Sequence, residues 1–237
     1  MVLLHALALV SSARPLHLLA ITLDHGLREA ARDEVQLVSA FCKKLGVPCV
    51  QGQLGLSPGG NLQERARRAR YDALFRLTDE HLGPEAFLAT AHHADDRAET
   101  VLLRLLRGTS LEGLAVLPAR AGRLLRPLVE ARRGAVDLHV ERHAVPFVDD
   151  PSNLDPHYLR VRVRHELVPL LEELSPGATS HLLALAEEAM DLPTPLGLNR
   201  EQRLQLRRAL AQPGSALDLP LPGGLRLTRS KAKTDEN

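Results

Sequence analysis

Met1 to Val10 is apolar apart from His5, and Leu3, Leu4, Leu7 and Val10 recur at helical spacing, so the chain opens on a predicted buried helix with no capping residue before it. After Pro15 the run Leu16 to Leu23 is almost unbroken in its apolarity and ends at Asp24-His25-Gly26, as a parallel strand covered on both faces does. A helical period then runs from about Ala30 to Leu45 and stops at Gly46. Val47 to Val50 reads as a short strand, Asn61 to about Leu82 as a long helix closed by Gly83-Pro84, Ala86 to Thr90 as a third strand, and Asp95 to about Arg107 as a helix.

Such alternation implies right-handed βαβ units, hence a doubly wound, mainly parallel α/β sheet with ligands beyond the carboxyl ends of its strands. From Gly108 the pattern loosens into a linker, a strand-like Arg123 to Arg126, a helix around Glu130 to His143, a polar loop Asp149 to Asn153 and a helix from about His157. Beyond Ser175-Pro176-Gly177 come helical stretches at Ala178 to Leu192 and Arg200 to Leu210, then a hairpin over Leu217 to Leu227 around Pro222-Gly223-Gly224. The expected division is an α/β domain over 1–175 and a small helical and hairpin appendage over 176–237, with Ser230 to Asn237 disordered.

The 237 residues carry 30 Lys+Arg against 29 Asp+Glu, so bulk charge marks neither a nucleic acid nor a membrane surface as partner. Any basic site must come from local placement. Two cysteines, Cys42 and Cys49, without a CxxC or Cys/His pairing, argue against a disulfide framework and against structural zinc. Ser11-Ser12-Ala13 imitates the end of a signal peptide, but no Lys or Arg precedes the apolar run, and the run is too short to span a bilayer. A cytoplasmic protein without a membrane partner is expected.

The sharpest chemistry lies in Ala91-His92-His93-Ala94-Asp95-Asp96-Arg97-Ala98-Glu99-Thr100, between the third strand and its helix. Val101, Leu102, Leu103, Leu105 and Leu106 span an apolar arc, and Glu99 falls inside it, so its carboxylate must be paired or used. Asp95 and Asp96 also suit a first helical turn, where acids cap and oppose the macrodipole. No second cluster completes a metal site with His92 and His93, and none is assigned. Asp24-His25 stands at a strand's carboxyl end, where turn chemistry and ligand contact are both open. Of the arginines on the long helix, Arg70 alone reaches the border of the buried stripe Leu62, Ala66, Ala69, Ala73 and Leu77, beside Tyr71. Arg160 and Arg164 stack at i,i+4, a repulsive pairing unless an anion lies between them; a polyanion is the expectation.

Four stretches taken in order resemble the tRNA(Ile)-lysidine synthases of the N-type ATP pyrophosphatase, or PP-loop, superfamily. They are Asp24-His25-Gly26-Leu27-Arg28, Asn61-Leu62 through Ala69-Arg70-Tyr71, Leu88 through Leu114, and Asp150-Pro151-Ser152-Asn153 through Arg164-His165-Glu166-Leu167. The resemblance covers about residues 1 to 175. It implies ATP-dependent adenylation of the wobble cytidine in the CAU anticodon of an isoleucine tRNA, followed by attack of free L-lysine to form lysidine. It implies Asp96, Glu99 and Arg70 as catalytic, the two carboxylates for the lysine ammonium and Arg70 with Mg²⁺ for the leaving phosphates. Thr22, Asp24 and His25 would flank the nucleotide, and Arg104, Arg107, Arg160 and Arg164 would face the tRNA backbone. A homodimer is compatible with it.

One departure is large. The family's SGGxDS phosphate loop is not among these residues, and Met1 to His5 looks like the helix that follows it; the first strand and the loop are expected upstream of Met1. Ser57-Pro58-Gly59-Gly60 is followed by no Asp-Ser and does not replace it. Val161 stands where relatives tend to have asparagine. The alternatives are a tRNA-binding remnant without ATP chemistry and another PP-loop tRNA-modifying enzyme.

Overall fold

A computed structural model describes residues 1–24, 30–54, 62–148, 151–191, 202, 205, 206, 208, 217–220 and 226–229. Helix α1 (Val2–Ala13) leads to β1 (Ala20–Asp24), α2 (Ala30–Leu45), β2 (Cys49–Gln53), α3 (Leu62–Leu82), β3 (Leu88–Ala89) and α4 (Ala94–Leu106). A 3-10 turn (Leu111–Leu114), β4 (Arg120–Ala121), β5 (Leu124–Leu125), α5 (Arg133–His143) and a second 3-10 turn (Pro151–Leu154) follow. Next come α6 (Leu159–Arg162), a π-helical turn (Val163–Leu167), α7 (Val168–Leu174), α8 (Ala178–Asp191) and the hairpin β6 (Leu217–Pro220) and β7 (Arg226–Arg229). Among the described residues no helix is long and apolar enough to cross a membrane.

The α/β expectation holds, in two pieces of sheet. β1 pairs in parallel with β2, Ala20 opposite Cys49 and Asp24 opposite Gln53, while β3 pairs in parallel with β5, whose other edge takes the antiparallel β4. A cavity of about 610 Å³ separates the pieces, lined by Leu19 to Thr22 of the β1 side, Leu88 to His92 of the β3 side, and residues of α1 and α3. The strand expected from Leu16 starts only at Ala20, and Ile21 and Leu23 are half-buried rather than covered on both faces, because one flank of β1 opens on that cavity. Gly52 of β2 has a geometric cause: a Cβ there would come within 2.7 Å of Leu23 and 2.8 Å of Leu77.

Helix α4 is the hub. Its Val101 packs with Leu114, Val116, Ala186 and Ala189, and its Leu102 and Leu103 pack with Val163. Leu182 of α8 touches both clusters, so α8 is joined to the rest by core packing. The apolar arc of α4 is narrower than expected, since Leu105 and Leu106 in its last turn are exposed. The helix expected from Glu130 begins at Arg133, because Leu128 to Ala131 form a turn whose Ala131 carbonyl accepts the Ala94 N–H at the head of α4. The helix expected from His157 carries the π turn directly before Pro169: the Val168 N–H bonds the Val163 carbonyl, and the wider turn accommodates a ring that supplies no N–H and crowds the preceding carbonyls. The stretch expected to be helical at Arg200 to Leu210 and the tail from Ser230 lie almost wholly outside the described residues.

Three histidines join α1 to α5. His5 Nδ1 and His139 Nε2 are 2.9 Å apart, one ring donating to the other's lone pair, and the His143 ring centroid lies 4.9 Å from that of His5 and 4.5 Å from that of His139. Burial, then the neighbouring histidines, lowers the pKa of His5 and of His139, and Lys44 adds to the effect on His5. A histidine pKa depressed by folding stabilises the fold fully above the ordinary value of 6.5 and loses that contribution as pH falls below it. Melting temperature is therefore expected to drop between pH 7 and pH 5, and to drop less in His5→Phe; equal drops in the two proteins would exclude this contact as the cause.

Candidate functional site

The site is built on the first turns of α4, at the carboxyl end of β3. Thr90, the residue after β3, holds His92 through a 3.0 Å contact between Oγ1 and Nδ1. Burial keeps the His92 ring neutral, with its pKa pushed down to about 4 against the opposing pull of Asp96. His93 is the N-cap residue of α4, and its N–H donates to Asp96 Oδ2 at 3.0 Å. Asp96 thus does cap the helix, with one oxygen.

Its other oxygen faces a cluster of four charges. Glu99 is 3% exposed, and its carboxylate takes the fork of Arg164, Nε to Oε1 at 2.6 Å and Nη2 to Oε2 at 3.1 Å. Arg160 bridges the pair, Nε to Glu99 Oε2 and Nη2 to Asp96 Oδ1, both at 2.8 Å. Arg164 Nη2 stands 3.5 Å from the same Asp96 oxygen. The hydrogen bond to Glu99 is the main cause that raises the Arg164 pKa. The anion between Arg160 and Arg164, expected to be a polyanion, is therefore the chain's own carboxylate pair.

Asp95 turns the other way. Burial alone would raise its pKa, but the His93 ring 3.6 Å away, the hydrogen bond from the Arg133 N–H at 2.7 Å and the Arg132 charge bring it down to about 2. That ties the turn before α5 to the head of α4.

A second cavity, of about 750 Å³, opens beside the cluster and is lined by Arg107, Asn153, His157 and Tyr158 to Val161 with Arg164. Arg70, His92 and Asp96 line both cavities and so stand at their junction. Arg70 packs its guanidinium 5.8 Å from the Tyr71 ring centroid and makes no ion pair among the described residues. Thr22 lines the first cavity. The Asp24 side chain and all of His25 lie outside the described residues. Arg104 lines neither cavity; its Nη1 donates to the Gly113 carbonyl at 2.9 Å and holds the 3-10 turn to α4.

Two buried arginines escaped the pattern of the sequence. Arg97 is buried in α4, held by the Leu117 carbonyl at 3.1 Å and by Glu187 of α8 at 3.2 Å. Arg126, the residue after β5, donates to the Pro118 carbonyl at 2.7 Å, and burial lowers its pKa while Tyr71 opposes the shift. Its place after a strand end was the available signal, masked by the abundance of arginine.

Parallel strands with a charged helix head between two cavities define an α/β domain whose candidate site lies at the carboxyl end of its strands. The family model of the PP-loop domain matches residues 1–171, and the chain belongs to that family. Several of its relatives are tRNA(Ile)-lysidine synthases. The tRNA(Ile)-lysidine synthase of Novosphingobium aromaticivorans is 37% identical over 232 residues, 92% of this chain and 68% of the relative. That of Pseudomonas aeruginosa is 39% identical over 199 residues, 81% of this chain and 44% of the relative, and that of Pseudomonas putida 37% over 226 residues, 92% and 51%. The chain spans about half the length of most of these relatives. Among solved structures, the U34-tRNA thiolase NcsA from Methanococcus maripaludis with its [4Fe-4S] cluster shares the fold at a TM-score of 0.63 and 19% identity, over 80% of this chain and 68% of that one.

Removing the charge of Glu99 leaves two guanidinium groups facing one carboxylate. Glu99→Gln is expected to lose about 3 kcal/mol, the scale for one partner taken from a buried pair, measured by urea unfolding. Asp95→Asn is expected to behave differently, in acid: a carboxylate depressed to about 2 stabilises above the ordinary 3.8 and loses that stabilisation as pH falls below it, so the variant's acid unfolding should be less steep.

Proposed function

We propose that this chain is the catalytic region of an enzyme that joins L-lysine to the wobble cytidine of an isoleucine tRNA with a CAU anticodon, at the expense of ATP. The observation that carries the reading is a carboxylate pair on one helix at the carboxyl end of a parallel strand, the buried Glu99 and the half-buried Asp96, bridged by Arg160, with Asp96, Arg70 and His92 lining both cavities. A lysine ammonium needs carboxylates held away from water, and a polyphosphate needs cations. The names of the relatives support the same chemistry.

In the first step the cytidine C2 oxygen bonds the α-phosphorus of ATP and pyrophosphate leaves. In the second the lysine ε-nitrogen bonds C2, the C2–O bond breaks, AMP leaves with that oxygen, and a proton is released. Asp96 and Glu99 hold the amine, and Arg70, free of ion pairing among the described residues, faces the phosphates. Thr22 lines the first cavity, where the nucleotide would lie. Arg107 is the exposed cation of the second cavity and faces the tRNA backbone, with Arg104 further along α4. Arg160 and Arg164 are largely neutralised by their carboxylates and contribute less to that field.

Among the described residues no cluster of His, Cys, Asp or Glu is arranged to hold a metal ion, and the oxygens of Asp95, Asp96 and Glu99 already have N–H partners. Mg²⁺ arriving with ATP belongs to the substrate. Cys42 and Cys49 line neither cavity, which sets the site apart from sulfur chemistry.

The test uses the chain extended upstream to include the phosphate loop, with tRNA, ATP and lysine, following pyrophosphate release without lysine and lysine incorporation with it. Asp96→Asn is expected to retain part of the first and to lose at least about tenfold of the second, as when a charge-assisted contact disappears. Incorporation with unchanged lysine dependence would remove Asp96 from the amine site, and no incorporation by the unaltered protein would favour the tRNA-binding remnant.

A further inference from the structure

We infer that Arg160 is a specificity-determining residue that exchanges partners when the amine substrate binds, giving up Asp96 and Glu99 to the ammonium and taking the substrate's carboxylate in their place. The inference rests on the lysine reading above and deepens it.

The four charges of the cluster cancel, two carboxylates against two guanidinium groups. A fifth charge, the incoming ammonium, has no partner unless one guanidinium withdraws. The two arginines are not equivalent in this respect. Arg164 grips Glu99 with two parallel bonds and has 26% of its side chain exposed. Arg160 gives one bond to each carboxylate, has 41% exposed, and lines the second cavity from the single turn of α6.

Withdrawal of Arg160 leaves Glu99 with both Arg164 bonds, and leaves Asp96 with the His93 N–H and the 3.5 Å contact to Arg164. No carboxylate is orphaned. The vacated position lies between Asp96 and Glu99, and Asp96 is in contact with both cavities, so an amine reaches it from either side. The displaced guanidinium then stands in a cavity whose other cations are Arg70, Arg107 and Arg164, where only an anion can compensate it. An α-amino acid brings that anion; a simple alkylamine does not. The exchange therefore selects a ligand bearing both charges.

The experiment compares L-lysine, n-pentylamine and L-norleucine as ligands of the unaltered chain and of Arg160→Gln, with affinities taken from the concentration dependence of the melting temperature. The unaltered chain is expected to prefer lysine over pentylamine by at least about tenfold and to ignore norleucine, which lacks the side-chain ammonium. In Arg160→Gln pentylamine is expected to bind more tightly than before, and the preference for lysine to shrink to about threefold or less. Arg160→Lys, which keeps a cation, is expected to restore part of the preference and serves alone if the glutamine variant does not fold. An unchanged preference in both variants would overturn the exchange and leave the lysine reading standing. Equal binding of all three ligands by the unaltered chain, or of none, would overturn the exchange and count against the lysine reading as well.

Discussion

The structure depends on holding one carboxylate, that of Glu99, in a place that water hardly reaches. An isolated charge there would be expelled or neutralised; Glu99 remains because two guanidinium groups from a distant stretch of chain meet it. Nearby, Val163 from the same stretch packs on Leu102 and Leu103 of α4. Apolar burial fixes where the later helix lies, and the ion cluster fixes how it is turned. Neither suffices without the other: dispersion contacts tolerate small rotations, whereas the Arg164 fork does not.

Around this point the fold divides its labour. The sheet, split by a cavity, brings the ends of β1 and β3 to one region, while α4 carries the chemistry at its head and the core along its flank. Arg97 shows how closely the two are joined, since a buried cation one residue from Asp96 is tied to α8 through Glu187 and to the loop at Leu117. The described part of the segment after Ser175 thereby braces the helix whose first turn holds the site.

Much of this was legible in the order of apolar and polar positions. The bounds of α2 and the end of α3 follow from their periodicity and closing glycines, and Glu99 betrays itself as an acid among leucines. The partners of Glu99 were not legible, because a like-charged pair at i,i+4 says only that an anion is near, and sequence spacing does not tell an external polyanion from a carboxylate 61 positions away. The late start of β1 was hidden for another reason. An apolar run reports that a segment avoids water, whereas strand pairing also needs a neighbour at the right place, and Leu16 to Leu19 have none among the described strands. Leu105 and Leu106 make the same point, apolar residues left in solvent because α4 ends beyond its supports.

The π turn at Val163–Leu167 sets a phase. One residue more or less in a helix turns everything beyond it by about 100°, so the wide turn acts as an angular offset between α6, which carries Arg160, and α7, which lies on the core. Pro169 locks the offset by making the regular ladder unavailable just after it. The segment is thus a gear with a fixed tooth. Substitutions can retune its contacts one by one, but an insertion or deletion between Arg160 and Pro169 changes the phase itself, and the chain's tolerance for length changes should fall to its minimum there, in a stretch whose exposed residues otherwise look free to vary.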